Sequence, residues 1–282
     1  MSNYKIIYIS GYGRSGSTLL SILLNISPNV YNIGEIDNLF SLKDDDLTQY
    51  WKNLKHKQLK NNNIKKLDKR FSSISWILKI KKGEKLFNQF WMPLLNDFVI
   101  DYKAKIVVDA SKSTYKTFCR PLYYYKNNIP IKIVHLVRDP DGVAKSYRKG
   151  RNDSNSKYLK KPKKGGAYRA LINWFIVNVL TSVIYKKTFV KNEFYVLSYD
   201  KLMSDYNNEM IKLMNFLELD ISEELFLKKI PIAEDLSFSG NRIRLKKEIE
   251  IKPYLTDKLK GGAGALSRVL KSVYKLIEND YK

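Results

Sequence analysis

Cysteine is nearly missing from this chain: Cys119 is the one thiol in 282 residues. A single thiol builds no internal disulfide framework and suits a reducing compartment. Histidine is as scarce, with only His56 and His135, which leaves little for a histidine-rich metal site. Acids are outnumbered, 28 Asp and Glu against 51 Lys and Arg, for a formal net charge of +23 at pH 7. Long apolar runs are lacking too. The most apolar helix-like run, Leu171 to Tyr185, contains Asn173, Asn178, Thr181 and Ser182, so it is expected to be too short and too polar to span a bilayer. The first strand-like run begins at Lys5, leaving no room before it for a signal peptide or anchor; the expectation is a cytoplasmic protein. Internal repeats and long linkers are also missing.

What the chain does have is a hydrophobic content of 44% and enough length for a substantial core. Part of its positive charge is spread evenly, in a text rich in Lys, Asn and Ile. Part is local: between Lys145 and Arg169 there are ten Lys/Arg and one acid, Asp153, a net of +9. Such a density could meet nucleic acid, an anionic membrane or a polyanionic small substrate.

The stretch Gly11 to Leu20, GYGRSGSTLL, organises the reading. It follows the apolar run Lys5 to Ser10, a buried strand by pattern, and opens into the helical Thr18 to Leu24. Strand, glycine turn and helix N-terminus together form an anion cradle, since glycine lets backbone N–H groups converge and the helix dipole adds positive charge. The spacing of Gly11 and Gly16 is that of a phosphate-binding loop, but Ser17 and Thr18 follow where a nucleotide triphosphatase carries lysine. Arg14, inside the loop, can supply a planar cationic fork instead.

Three more strands read out of the sequence. Ile106 to Asp109 runs into Ser111-Lys112, Ile131 to Val137 into Arg138-Asp139-Pro140, and Phe194 to Tyr199 into Asp200. Helical text separates them at crossover lengths, which predicts an α/β fold with a parallel sheet covered on both faces. Ligands of such sheets sit beyond the strands' carboxyl ends, where all four strands carry polar or charged residues. From Leu39 to about Phe98 the text is helical, basic and aromatic, and is read as an insertion or lid within one domain, 1–282. A short return segment, Val30-Tyr31, leads to Gly34-Glu35 near the loop.

These motifs resemble the sulfotransferases that use 3′-phosphoadenosine 5′-phosphosulfate (PAPS), in the branch holding bacterial and protein-tyrosine sulfotransferases. GYGRSGSTLL with Glu35 downstream looks like their phosphosulfate loop, and Val134 to Pro140 followed by Val143-Ala144-Lys145-Ser146 is similar to their 3′-phosphate motif. Val107 to Ser113 resembles the strand carrying their lysine, Ser198-Tyr199-Asp200-Lys201-Leu202 their adenine-contacting segment, and Ser239 to Arg244 their late Gly-Asn-Pro-x-Arg motif. Arg242 stands in place of that proline, and Asp200 in place of a usual glutamate. The resemblance implies a P-loop-NTPase-like fold and sulfuryl transfer to an alcohol or phenol, with adenosine 3′,5′-bisphosphate as product and no metal.

It also implies roles. Gly13, Arg14, Ser15, Gly16, Ser17 and Thr18 would hold the 5′-phosphosulfate. Arg138 and Ser146 would clasp the 3′-phosphate, with Arg244, Gly240 and Asn241 in the late loop and Tyr199 at the adenine. Lys112 would stabilise charge on the transferring group and Glu35 would take the acceptor's proton. The acceptor could be a small molecule, lipid, glycan or peptide. No specific nucleic acid is expected, and peripheral contact with an anionic membrane is left open. Two other classes compete: a P-loop small-molecule kinase, opposed by the missing lysine, and a non-catalytic basic module, which would bind any polyanion with steep salt dependence.

Overall fold

The computed structural model describes residues 3–62, 80–113, 117–148, 166–232, 236–240, 242–252 and 258–279. Its centre is β1 (Lys5–Ser10), five of whose six residues are buried. β3 (Ile106–Asp109) and β4 (Ile131–Val137) pair with it in parallel on either side. β2 (Val30–Gly34) and β5 (Phe194–Ser198) complete a five-stranded parallel sheet in the order β2-β3-β1-β4-β5. The expected sheet thus gains one strand: Val30-Tyr31 belongs to β2 and is not merely a return segment. At its polar Asn32 the backbone N–H donates to Asn25 Oδ1 (2.7 Å), and the side-chain Oδ1 stands in for a backbone carbonyl by accepting from the Gly34 amide (2.9 Å).

Side chains alternate along β1, as strand geometry requires. Ile6 and Tyr8 enter a core with the aromatic residues of α2 (Gln49–Asn61), α4 (Met92–Tyr102) and α5 (Arg120–Lys126). Ile7 and Ile9 face the opposite core, with α1 (Ser17–Leu24) and the helix pair α8 (Tyr199–Ser204) and α9 (Tyr206–Leu217). Between α2 and α4, α3 (Ile80–Leu86) passes through a π-helical turn at Phe87–Trp91. Trp51, Phe90 and Phe98 from the 39–98 stretch are fully buried in the first core, with Trp51 stacked on Phe98 at 5.5 Å.

After β4 come α6 (Pro140–Arg148) and α7 (Gly166–Thr188), and α10 (Gly261–Asn279) packs beside α7. At 23 residues α7 is long and apolar enough to cross a membrane by length and composition. That corrects the expectation from Leu171 to Tyr185, which undercounted the helix. Its polar residues Asn178, Thr181 and Ser182 are buried. Asn178 Oδ1 meets His135 Nε2 of β4 at 2.9 Å, and Ser182 Oγ lies 3.5 Å from His135 Nδ1. Burial lowers the His135 pKa to about 4, so the ring is neutral in this network.

Candidate active site

The phosphate-type loop is held in a conformation that its glycines make accessible. Gly11 has φ +118°, and a Cβ there would stand 2.3 Å from the Leu136 carbonyl of β4. Gly16 has φ +99° and lies against the Tyr199 ring, 2.4 Å from where its Cβ would be. Arg14, with a side chain, also adopts positive φ (71°). Such a conformation costs about 1 kcal/mol or more unless neighbours enforce it. Two do. Arg138 Nη1 donates to the Arg14 carbonyl (3.1 Å), and the Arg14 guanidinium lies 5.8 Å over the Tyr147 ring, itself stacked on Tyr12. Ser15 Oγ donates back to the Tyr12 carbonyl at 2.7 Å. Gly16 is the N-cap of α1 and, as glycine, brings no side-chain cap of its own.

Arg138 therefore reaches the loop from the neighbouring strand. Its guanidinium lies 4.6 Å over the Tyr199 ring, and its carbonyl accepts from Trp174 Nε1 at 2.9 Å. Asp139 does not serve as its ion-pair partner: that carboxylate holds Lys271 and accepts from the Asp141 amide at 3.0 Å. Ser146 is half-buried on α6, the helix into which Arg138 leads.

On the other side of the loop Lys112 Nζ forms an ion pair with Glu35 Oε1. Asn38 Nδ2 donates to Glu35 Oε2 at 3.0 Å, so both carboxylate oxygens have donors. Lys112 has φ +67°, and its carbonyl is held by Tyr8 OH (2.5 Å) and Thr117 Oγ1 (2.6 Å). The next residue, Ser113, donates its amide to the Gly11 carbonyl (3.0 Å), tying the lysine segment to the glycine loop.

The late segment closes the third side. Gly240 (φ +138°) packs on Thr18, with 3.1 Å from its would-be Cβ to Oγ1. Gly34 lies against Ser237 and Ser239, and Ser239 Oγ is 3.4 Å from Asn38 Nδ2. Arg244 gives hydrogen bonds to the Ser237 (3.0 Å) and Phe238 (3.3 Å) carbonyls, which staple this segment. Asn241 lies outside the described residues. Glu35, Lys112, the 13–18 loop, Arg138, Tyr199 and Gly240 thus converge at the strands' carboxyl ends.

Sequence reasoning missed Asp37. Its Oδ1 is buried and makes no hydrogen bond among the described residues. Burial, with Glu35 and Asp109 adding repulsion, pushes its pKa up to about 7 against the attraction of Arg120. Arg120 is occupied nearby: its Nε donates to Asp109 Oδ2 at 2.6 Å, and that oxygen also accepts from Tyr124 OH at 2.8 Å. Asn38 and Tyr147 were likewise unsignalled, because their neighbours are remote in sequence. A groove of about 1140 Å³ starts at Arg138 and follows the outer edge of β5. Among the described residues no group of three or more His, Cys, Asp or Glu could hold a metal ion.

Comparison with known proteins gives these likenesses. A family model described as "Sulfotransferase family" matches residues 7–223. Among solved structures, the sulfotransferase domain from the Synechococcus PCC 7002 olefin synthase superposes with a TM-score of 0.57 at 17% identity, covering 96% of this chain and 94% of that one. The sulfotransferase domain from the curacin biosynthetic pathway gives 0.58 at 16%, covering 96% and 98%. Mouse sulfotransferase SULT7A1, complexed with PAP, gives 0.53 at 13%, covering 99% and 89%. No curated protein matches the chain.

Proposed function

The chain belongs to the sulfotransferase family, and on that premise we propose that it moves a sulfuryl group from PAPS to an acceptor hydroxyl. The observation that carries this reading is the contact between Arg138 and the glycine loop, Nη1 to the Arg14 carbonyl at 3.1 Å. It sets a cation beside a lysine-free anion cradle, a spacing suited to one nucleotide carrying anions at two positions. The residues fit the donor: α1 opens at a glycine N-cap that brings no side chain, Ser17 and Thr18 supply hydroxyls, and Arg14 and Arg138 supply planar forks.

In the reaction, an acceptor oxygen forms a bond to sulfur while the bond from sulfur to the phosphate oxygen breaks. The acceptor's proton goes to Glu35, and adenosine 3′,5′-bisphosphate leaves with the negative charge. The protein's part is positioning and neutralisation, as in phosphoryl transfer. Lys112 suits the oxygen that accumulates charge. To act there its ammonium leaves Glu35, and that same departure frees the carboxylate to accept a proton.

The test is calorimetric titration with adenosine 3′,5′-bisphosphate and, separately, ATP, followed by incubation of a cell extract with sulfur-labelled donor. The reading expects stoichiometric binding of the 3′-phosphorylated nucleotide, weak binding of ATP, and label in an acceptor. Preference for ATP would favour a kinase. Indiscriminate, salt-quenched binding of both would favour a polyanion-binding module.

A further inference from the structure

Two parallel helices leave apolar rows in solvent where charge would be ordinary. On α10 the row is Val269 (59% exposed), Val273 (38%) and Leu276 (65%), spaced four and three residues apart. It lies opposite the buried Ala263, Ser267 and Tyr274. On α7 the row is Tyr168 (47%), Ile172 (47%) and Ile176 (37%). The helices run side by side in one direction: the Tyr168 hydroxyl lies against Gly262 near the start of both, Ser182 Oγ is 3.3 Å from Tyr274 OH, and Lys186 Nζ reaches the Glu278 carbonyl at 3.3 Å near their ends.

The charges carried by this pair are one-sided. α7 contains no acid in 23 residues, and α10 contains one, Glu278, in its last turn. Arg169, Lys187, Arg268 and Lys275 are exposed on the same two helices. The residues leading into α7 by sequence add to this sign, with a net of +9 from Lys145 to Arg169. Apolar rows edged by cations and almost no anions match a surface that is greasy below and negative above.

We propose that the outer face of α7 and α10 rests on the headgroup layer of an anionic bilayer. Val269, Val273 and Leu276 dip toward the acyl boundary, and the exposed Arg and Lys side chains meet lipid phosphates. The assignment uses none of the residues given roles in sulfuryl transfer and does not rest on the sulfotransferase reading.

Vesicle flotation of the full chain tests it, with phosphatidylcholine alone and with phosphatidylcholine mixed with phosphatidylglycerol. The parent should float with the anionic vesicles, with pure phosphatidylcholine carrying about tenfold less, and added salt should reduce the bound fraction. V269D/L276D, changed at two largely exposed positions, should lose about tenfold in partitioning with an unaltered thermal melt. R268E/K275E should lose binding to the anionic vesicles independently, which keeps the test open should the first variant fold poorly. Equal flotation with both vesicle types would overturn the proposal, as would no flotation with either or undiminished flotation of V269D/L276D. A concentration-dependent dimer that V269D/L276D dissolves, without vesicle binding, would assign the face to a second copy and overturn it equally.

Discussion

Glu35 enters the resting site with a donor on each oxygen, Lys112 on one and Asn38 on the other. Replacing it with Gln keeps the shape and removes the proposed proton acceptor. Glu35→Gln should bind adenosine 3′,5′-bisphosphate within about threefold of the parent while kcat falls about 10²-fold or more. Parental turnover in that variant would remove Glu35 from the role of base. Two residues on, Asp37 makes a claim about pH. Its folded pKa is raised from 3.8 to about 7, so the folded state holds a proton that the unfolded chain releases earlier. Stability from this group is therefore present below about pH 4 and is lost as pH rises toward 7. Asp37→Asn should stabilise the protein at pH 8 by on the order of 1–3 kcal/mol and remove that slope, as read from thermal melts across pH. Asp37 was illegible in the sequence because its burial is set by the fold, and two of the charges acting on it, Arg120 and Asp109, lie more than seventy positions away.

At the scale of elements, the glycine loop owes its form to partners from β4 and α8. Gly16 faces the Tyr199 ring, and a methyl there would collide with it at a φ that L-residues avoid. Gly16→Ala should cost about 2 kcal/mol or more of stability and weaken nucleotide binding at least about tenfold, measured by denaturant titration and calorimetry. The anchoring of β4 by α7 gives a second expectation. His135 is buried neutral, its pKa lowered from 6.5 to about 4. Its contribution is present above pH 6.5 and lost as pH falls through that window, the opposite slope to that of Asp37. His135→Gln should flatten the acid limb of the stability curve while lowering stability near pH 7, because the contacts to Asn178 and Ser182 are disturbed. The loop and β1, β3, β4 and β5 were readable because their signals are local: apolar β-branched runs ending in glycine or charge. β2 was not, since Asn32 interrupts its pattern while its side-chain oxygen takes the place of a backbone acceptor for the Gly34 amide. The length of α7 was misjudged for a related reason. Its Asn178 and Ser182 look like solvent-facing breaks until His135 of β4 supplies their partner.

Over the whole molecule, the sheet order places β1 between β3 and β4, so the glycine loop lies between the Lys112 segment and Arg138. That juxtaposition could be anticipated from strand ends, but the contacts that fasten it could not: Tyr8 and Thr117 hold the Lys112 carbonyl, and Gly240 packs on Thr18. Arg138→Ala removes both a cation and the clamp on the Arg14 carbonyl. Nucleotide affinity should fall about 10²-fold or more by calorimetry, with a smaller change in melting temperature. The lysine resting on Glu35 has a kinetic corollary. Under the proposed roles, an acceptor arriving first would meet a carboxylate already neutralised by Lys112, whereas an entering anionic donor would draw the ammonium away. Initial-rate and product-inhibition kinetics are then expected to show nucleotide binding before hydroxyl; random addition would detach this order from the Lys112–Glu35 pair.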